Sequence, residues 1–128
     1  MPLVLLVEDH ADTRVMYAEF LSGGFDVMQA SDGQEALTTM RARRPDLVIT
    51  DLSLPRMDGF ELMTRMRDDP DLAAVPIICL SGYGGDAHEQ RAREAGSDRV
   101  LQKPCLPDVL AEAALAVLRG RTPQRQDI

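Results

Sequence analysis

The sequence predicts one α/β domain, a five-stranded parallel sheet wound with helices on both faces. Three observations predict it. Short apolar runs alternate with amphipathic stretches five times along 128 residues. The connections between them are short, as successive βα units with right-handed crossovers require. The polar residues that break the pattern stand immediately after apolar runs, where strands give way to loops. A chain of this length forms a single domain and buries its own core without disulfides.

Leu3–Val7 is continuously apolar, the pattern of a strand covered on both faces. Ala11 to Leu21 follows with Val15, Met16, Tyr17, Phe20 and Leu21 close to helical spacing, and Gly23 and Gly24 stop it. Phe25–Ala30 reads as the second strand. Asp32 and Glu35, three apart, form a capping-box variant that opens the second helix. Its apolar stripe is Ala36, Leu37 and Met40, and Arg41, Arg43 and Arg44 suit the negative end of its dipole.

Asp46–Thr50 is the third strand, followed by a Leu54-to-Gly59 loop and a short helix over Phe60–Arg67 with Phe60, Leu62, Met63 and Met66 inward. Met57 and Met63 read as packing residues. Pro76–Leu80 is the fourth strand. A loop with Gly82, Gly84 and Gly85 leads to a polar helix, Asp86–Ala95, whose apolar face is only alanine. His88 on that helix reads as solvated. Arg99–Gln102 is the fifth strand and Asp108–Arg119 the last helix, with Val109, Leu110, Ala113, Val117 and Leu118 inward. The domain is expected over residues 1–120, with 121–128 a frayed polar tail.

Composition narrows the function. Lys and Arg total 14 against 21 Asp and Glu, a net charge of −7. That opposes direct nucleic-acid binding and docking on anionic lipid, and suits basic partners or cations. Two cysteines, Cys79 and Cys105, fit neither a disulfide framework nor a zinc spacing. Cys79 reads as core and Cys105 as partly exposed. No apolar run reaches a membrane span, and the start resembles no signal peptide. A cytoplasmic location is expected.

The chemistry-bearing residues share one place. Glu8 and Asp9 follow the first strand, Asp51 the third, Ser81 the fourth and Lys103 the fifth. In a parallel sheet these positions line the carboxyl edge, where open α/β sheets bind ligands. Three carboxylates there repel one another, and a hard divalent cation offsets them best. Glu8, Asp9 and Asp51 carry −3, Mg²⁺ adds +2 and Lys103 adds +1, which sums to zero. That inventory suits an aspartate that attacks a phosphoryl donor, with Ser81 and Lys103 holding the transferred group. His10 follows the acid pair, but imidazole is a poor Mg²⁺ ligand, so His10 reads as a surface residue.

These residues resemble the receiver domain of bacterial two-component response regulators. The likeness rests on VLLVEDH, DLVITDLSLPRMDGFEL, PIICLSG and AGSDRVLQKP, and runs from about Leu3 to Arg119. The spacing from Asp51 through Pro55 to Asp58 and Gly59 is its most specific part. The resemblance implies a flavodoxin-like sheet of order 2-1-3-4-5. It implies that Asp51 is the phosphoacceptor, that Asp9 and Asp51 touch Mg²⁺, and that Glu8 acts on it through water. Ser53 would lend the metal its backbone carbonyl. Ser81 would be the switch hydroxyl and Lys103 the motif lysine, with the Lys103–Pro104 bond cis. The implied partners are a histidine kinase or histidine phosphotransfer protein and a downstream protein effector. The chain would be a monomer or a weak homodimer through the fourth helix, fifth strand and fifth helix.

Three departures from the family pattern bear on switching. Val100 stands where the family places its switch aromatic, Cys105 stands where an aromatic usually follows Lys-Pro, and Tyr83 is the candidate replacement ring. Few apolar contacts predict that the fourth helix and the loop before it form the signalling surface. The reading is a switch rather than a conventional enzyme, catalysing only its own phosphorylation and dephosphorylation. The alternatives are a phosphorylation-independent pseudo-receiver, a receiver excised from a hybrid kinase or larger regulator, and a haloacid-dehalogenase-type phosphatase. The last needs a second acid where Ser53 stands.

Overall fold

A computed structural model describes residues 1–82 and 85–120. Five strands alternate with five helices: β1 Leu3–Val7, α1 Ala11–Leu21, β2 Asp26–Ala30, α2 Gly33–Ala42, β3 Leu47–Asp51, α3 Gly59–Asp68, β4 Ile77–Ser81, α4 Asp86–Ala95, β5 Arg99–Gln102 and α5 Pro107–Gly120. All pairings are parallel, in the order β2-β1-β3-β4-β5. The expected fold is the observed one.

The three central strands are buried at every position, so their near-continuous apolar runs follow from cover on both faces. Alternate residues feed two cores. Leu5, Val7, Val48, Ile77 and Cys79 face one, with Leu37, Met40, Leu62, Met63 and Met66 from α2 and α3. Val4, Leu6, Ile49, Ile78 and Leu80 face the other, with Tyr17, Leu21, Leu110 and Ala113 from α1 and α5. The edge strands β2 and β5 are partly exposed.

Several local expectations need correction. β3 and β4 each run one residue further than the apolar pattern, because Asp51 and Ser81 still pair, with Leu80 and Gln102 respectively. Both are therefore held in the sheet rather than in loops. On α1 only Tyr17, Ala18 and Leu21 are buried, while Val15, Met16 and Phe20 lie outside the contact with the sheet and stay exposed. Val109 is likewise exposed, since α5 turns Leu110, Ala113 and Ala114 inward. Cys105 is buried in the core beside α1 and α5, where the chain folds back after the cis Lys103–Pro104 bond. His88 is half-buried, edge-on to Phe60 with ring centroids 5.7 Å apart. Met57 and Met63 are buried, as expected.

The α2 cap forms as the sequence predicts, with one change. Asp32 accepts from the Glu35 amide at 2.8 Å. Glu35 reaches back to the Ser31 amide at 2.8 Å, one residue before the capping residue itself. Asp58 caps α3 through the Glu61 amide at 2.9 Å. The tail at 121–128 lies outside the described residues. None of the described helices is long and apolar enough to cross a membrane.

Candidate functional site

The ends of β1, β3, β4 and β5 bring Glu8, Asp51, Ser81 and Lys103 to one edge. Parallel register does this: β3 pairs Asp51 with Leu80, and β4 pairs Ser81 with Gln102, one residue before Lys103. The Lys103 amide donates to the Ser81 carbonyl at 2.8 Å, which fixes the lysine backbone. Its Nζ lies 2.5 Å from Asp51 Oδ2 and 3.6 Å from Glu8 Oε1. Glu8, Asp51 and Ser81 are buried. Asp9 is partly exposed at the rim.

The charges do not balance. Glu8, Asp9 and Asp51 face one ammonium, so the cluster carries a net −2 when all are ionised. Burial pushes the Asp51 carboxyl up to about 6, and the Lys103 hydrogen bond only partly opposes it. Burial also works against the Glu8 carboxylate, but the His10 amide and Lys103 outweigh it and hold Glu8 below the ordinary range. Lys103 loses some charge preference to burial and regains more from Asp51, so its ammonium is held above its ordinary range. Glu8 Oε1 is buried and has no hydrogen-bond partner. A buried carboxylate oxygen with no hydrogen bond, only the Lys103 ammonium 3.6 Å away, beside two more acids is a donor set that fits a hard divalent cation. Ligand atoms of Glu8, Asp9 and His10 all lie within 4.8 Å of one another.

The loop after Asp51 is built tightly against it. A Cβ at Gly59 would lie 2.4 Å from the Asp51 carbonyl oxygen and 2.7 Å from Leu52 Cα, so only glycine lets α3 begin there. The Gly59 amide donates to the Leu52 carbonyl at 2.8 Å. Behind the loop, Arg56 takes φ 65° and its guanidinium pairs with the buried Asp32 carboxylate that caps α2. A side chain at Gly33 would meet the Met57 carbonyl at 2.7 Å, so α2 seals the other side of the loop. Ser53 and Pro55 are exposed on it.

Sequence reasoning missed two features. Tyr17 was read only for its apolar ring, yet its hydroxyl donates to the Cys105 carbonyl at 2.5 Å and ties α1 to the segment after Lys103. No local pattern signals a bond across 88 positions. Arg56 was part of the loop motif, but its pairing with Asp32 needed the fold. Val100 is half-buried against the core that α4 covers. Tyr83, the candidate replacement ring, lies outside the described residues.

The chain matches the family model described as the response regulator receiver domain over residues 4–115, and it belongs to that family. It is 39% identical over 117 residues to the probable transcriptional regulator ycf27 of Guillardia theta, covering 91% of this chain and 45% of that protein. It is 29% identical over 102 residues to the polar-differentiation response regulator DivK of Brucella anthropi, covering 79% of this chain and 83% of DivK. The chain thus spans less than half of the first relative and most of the second. Among solved structures, the signal receiver domain of a histidine kinase from Syntrophus aciditrophicus aligns with TM-score 0.86 at 32% identity over 96% of each chain. The chemotaxis protein CheY4 of Vibrio cholerae aligns with TM-score 0.86 at 31% identity, covering 91% of this chain and 98% of that one.

Proposed function

We propose that this receiver is a phosphorylation-controlled switch that accepts a phosphoryl group on Asp51 and then controls a protein partner. The observation that carries the reading is the Lys103–Asp51 contact at 2.5 Å, made inside a buried acid cluster with too little positive charge. A structural ion pair has no need of two further acids beside it.

The donor would be a phosphohistidine of a histidine kinase or phosphotransfer protein. An Asp51 carboxylate oxygen attacks phosphorus, the phosphorus–nitrogen bond breaks, and the imidazole leaves with the electron pair and takes up a proton. The product is an acyl phosphate. An Asp51 carboxyl pushed up to about 6 is still ionised at neutral pH, and is a stronger base than an ordinary carboxylate. Lys103 stays charged and is placed to move from the carboxylate to a phosphoryl oxygen. Ser81 supplies a hydroxyl donor on the same edge. Mg²⁺, held by Asp9, Asp51 and the Ser53 carbonyl with Glu8 acting through water, would neutralise the incoming phosphoryl charge.

The added charge biases a two-state element. That element is α4, whose only fully buried residue is Ala92. With Val100 in place of a mobile ring, the shift is carried by the strand-end hydroxyl and by α4. The face of α4, β5 and α5 would meet the effector, or a second copy in a weak homodimer. The receiver unit would occupy residues 1–120 and work in the cytoplasm, where two free, buried cysteines need no oxidising surroundings.

The test is intact mass after incubation with a small acyl phosphate and Mg²⁺. One phosphoryl adduct is expected, absent with a chelator and absent in Asp51→Asn. Folded protein that gains no adduct from either an acyl phosphate or a phosphorylated histidine donor would overturn the reading.

A further inference from the structure

His10 occupies the N-cap of α1, a position that favours Ser, Thr, Asp or Asn because their side chains bond the first free amides. It makes no side-chain cap. Its ring turns the other way, and Nδ1 lies 3.3 Å from Glu8 Oε2 and 3.4 Å from Asp9 Oδ1. The Glu8 contact is a long hydrogen bond to an oxygen that also accepts the His10 amide at 3.0 Å, and both ring distances lie beyond the usual N–H···O range of about 2.7–3.2 Å. They match the spacing of two donors on one metal: bonds of about 2.0–2.1 Å at a tetrahedral angle set ligand atoms roughly 3.3–3.4 Å apart. The Glu8 carboxylate is 1% exposed, and its other oxygen has no hydrogen-bond partner, only Lys103 Nζ at 3.6 Å. The imidazole is 77% exposed, so a cation reaches it directly from solvent.

We propose that His10 is an additional metal ligand that gives this receiver a second class of cation, the nitrogen-accepting ions Zn²⁺ and Co²⁺, bound by His10 Nδ1 with the Asp9 and Glu8 carboxylates. The inference rests on the acid cluster being a cation site, as the proposed function requires. Carboxylates alone serve Mg²⁺, which gains little from imidazole, whereas Zn²⁺ and Co²⁺ gain strongly from it. His10 therefore sets cation preference without being needed for Mg²⁺. The availability of borderline metals would then compete with Mg²⁺ for the edge where phosphoryl transfer takes place.

The experiment titrates the whole chain with Co²⁺, following visible absorption, and with Zn²⁺ and Mg²⁺ in competition against Co²⁺. It is run at about pH 8. Wild type is compared with His10→Ala and His10→Asn, and the far-ultraviolet spectrum of each variant reports folding. The expected result is a loss of about 10-fold or more in Co²⁺ and Zn²⁺ affinity in both variants, a changed Co²⁺ spectrum, and Mg²⁺ affinity within about 2-fold of wild type. Equal losses for all three metals, or no loss, would overturn the proposal. Tighter binding in the variants would also overturn it. Phosphorylation of wild type with Mg²⁺ is scored separately. An adduct on Asp51 without a His10 effect on Co²⁺ removes only this inference. A His10-dependent Co²⁺ site without an adduct removes only the phosphoryl reading.

Discussion

Gly59 and the Asp51 carbonyl are so close that a single added methyl group would lie 2.4 Å from the oxygen. The first residue of α3 thus rests on the backbone of the expected acceptor. The contact explains why the loop motif closes on glycine, and it couples α3 to the position of the Asp51 side chain.

Gly59→Ala should therefore act at both ends of that coupling. The obstructing atoms are backbone, so no side chain can swing away and α3 or β3 must shift. We expect a loss of about 2–3 kcal/mol in urea unfolding and a slower phosphorylation of Asp51. Wild-type stability in this variant would show that the loop is looser than described.

The metal-free site should be a source of instability, with a defined pH dependence. The folded Asp51 carboxyl titrates at about 6 against an ordinary 3.8, so between these values the folded state binds more protons than the unfolded one. Stability supplied by the protonated form is complete below about 4 and is lost as pH rises through about 6. Asp51→Asn keeps the neutral state at every pH, and Glu8 remains 3.6 Å from Lys103 as its partner. In chelator at pH 7 the variant should exceed wild type by up to about 3 kcal/mol. The gap should close as pH falls below 4. Urea midpoints across that range check it, and a gap that widens in acid would contradict the sign.

Arg56 combines a left-handed backbone, φ 65°, with an ion pair to the α2 cap. The two features separate on substitution. Arg56→Ala keeps the unfavourable backbone and loses the pair, whereas Arg56→Gly loses the pair and relieves the backbone. The glycine variant should be the more stable of the two by thermal unfolding. The reverse order would mean that the positive φ is not imposed by the loop.

α4 should exchange its amide hydrogens faster than α2, α3 and α5. Its single fully buried residue is Ala92. Its C-terminal end is held, since Arg67 donates to the Gly96 carbonyl at 2.6 and 3.2 Å and pairs with Asp98 at 3.1 Å. In mid-helix, Arg91 stacks 3.9 Å above the Phe60 ring, which His88 meets edge-on. Exchange should be fastest in the first turn, whose leading amides have no intrahelical acceptor and no side-chain cap, and Arg67→Ala should extend it to Gly96 and Asp98. Equal protection across all helices would remove α4 as the low-stability element.

The fold was legible because burial on both faces writes itself as unbroken apolar runs, and Leu3–Val7 and Leu47–Thr50 carry that pattern plainly. The strand-end positions of Glu8, Asp51, Ser81 and Lys103 were legible for the same reason: a parallel sheet leaves one edge for them. Contacts that cross the chain were not. Cys105 looked partly exposed because residues that share its core, Tyr17 among them, lie far away in sequence. His88 looked solvated because its neighbour, Phe60, comes from another helix. Val15, Met16 and Phe20 look like a core stripe only if helical spacing is read without knowing which side of α1 meets the sheet.

The central claim is that Asp51 takes the phosphoryl group. Borohydride reduction of the phosphorylated chain converts an acyl phosphate to homoserine, and peptide mapping then reads its position. The account predicts homoserine at position 51, formed only after incubation with donor and Mg²⁺. Homoserine at another aspartate, with 51 unmodified, would contradict it.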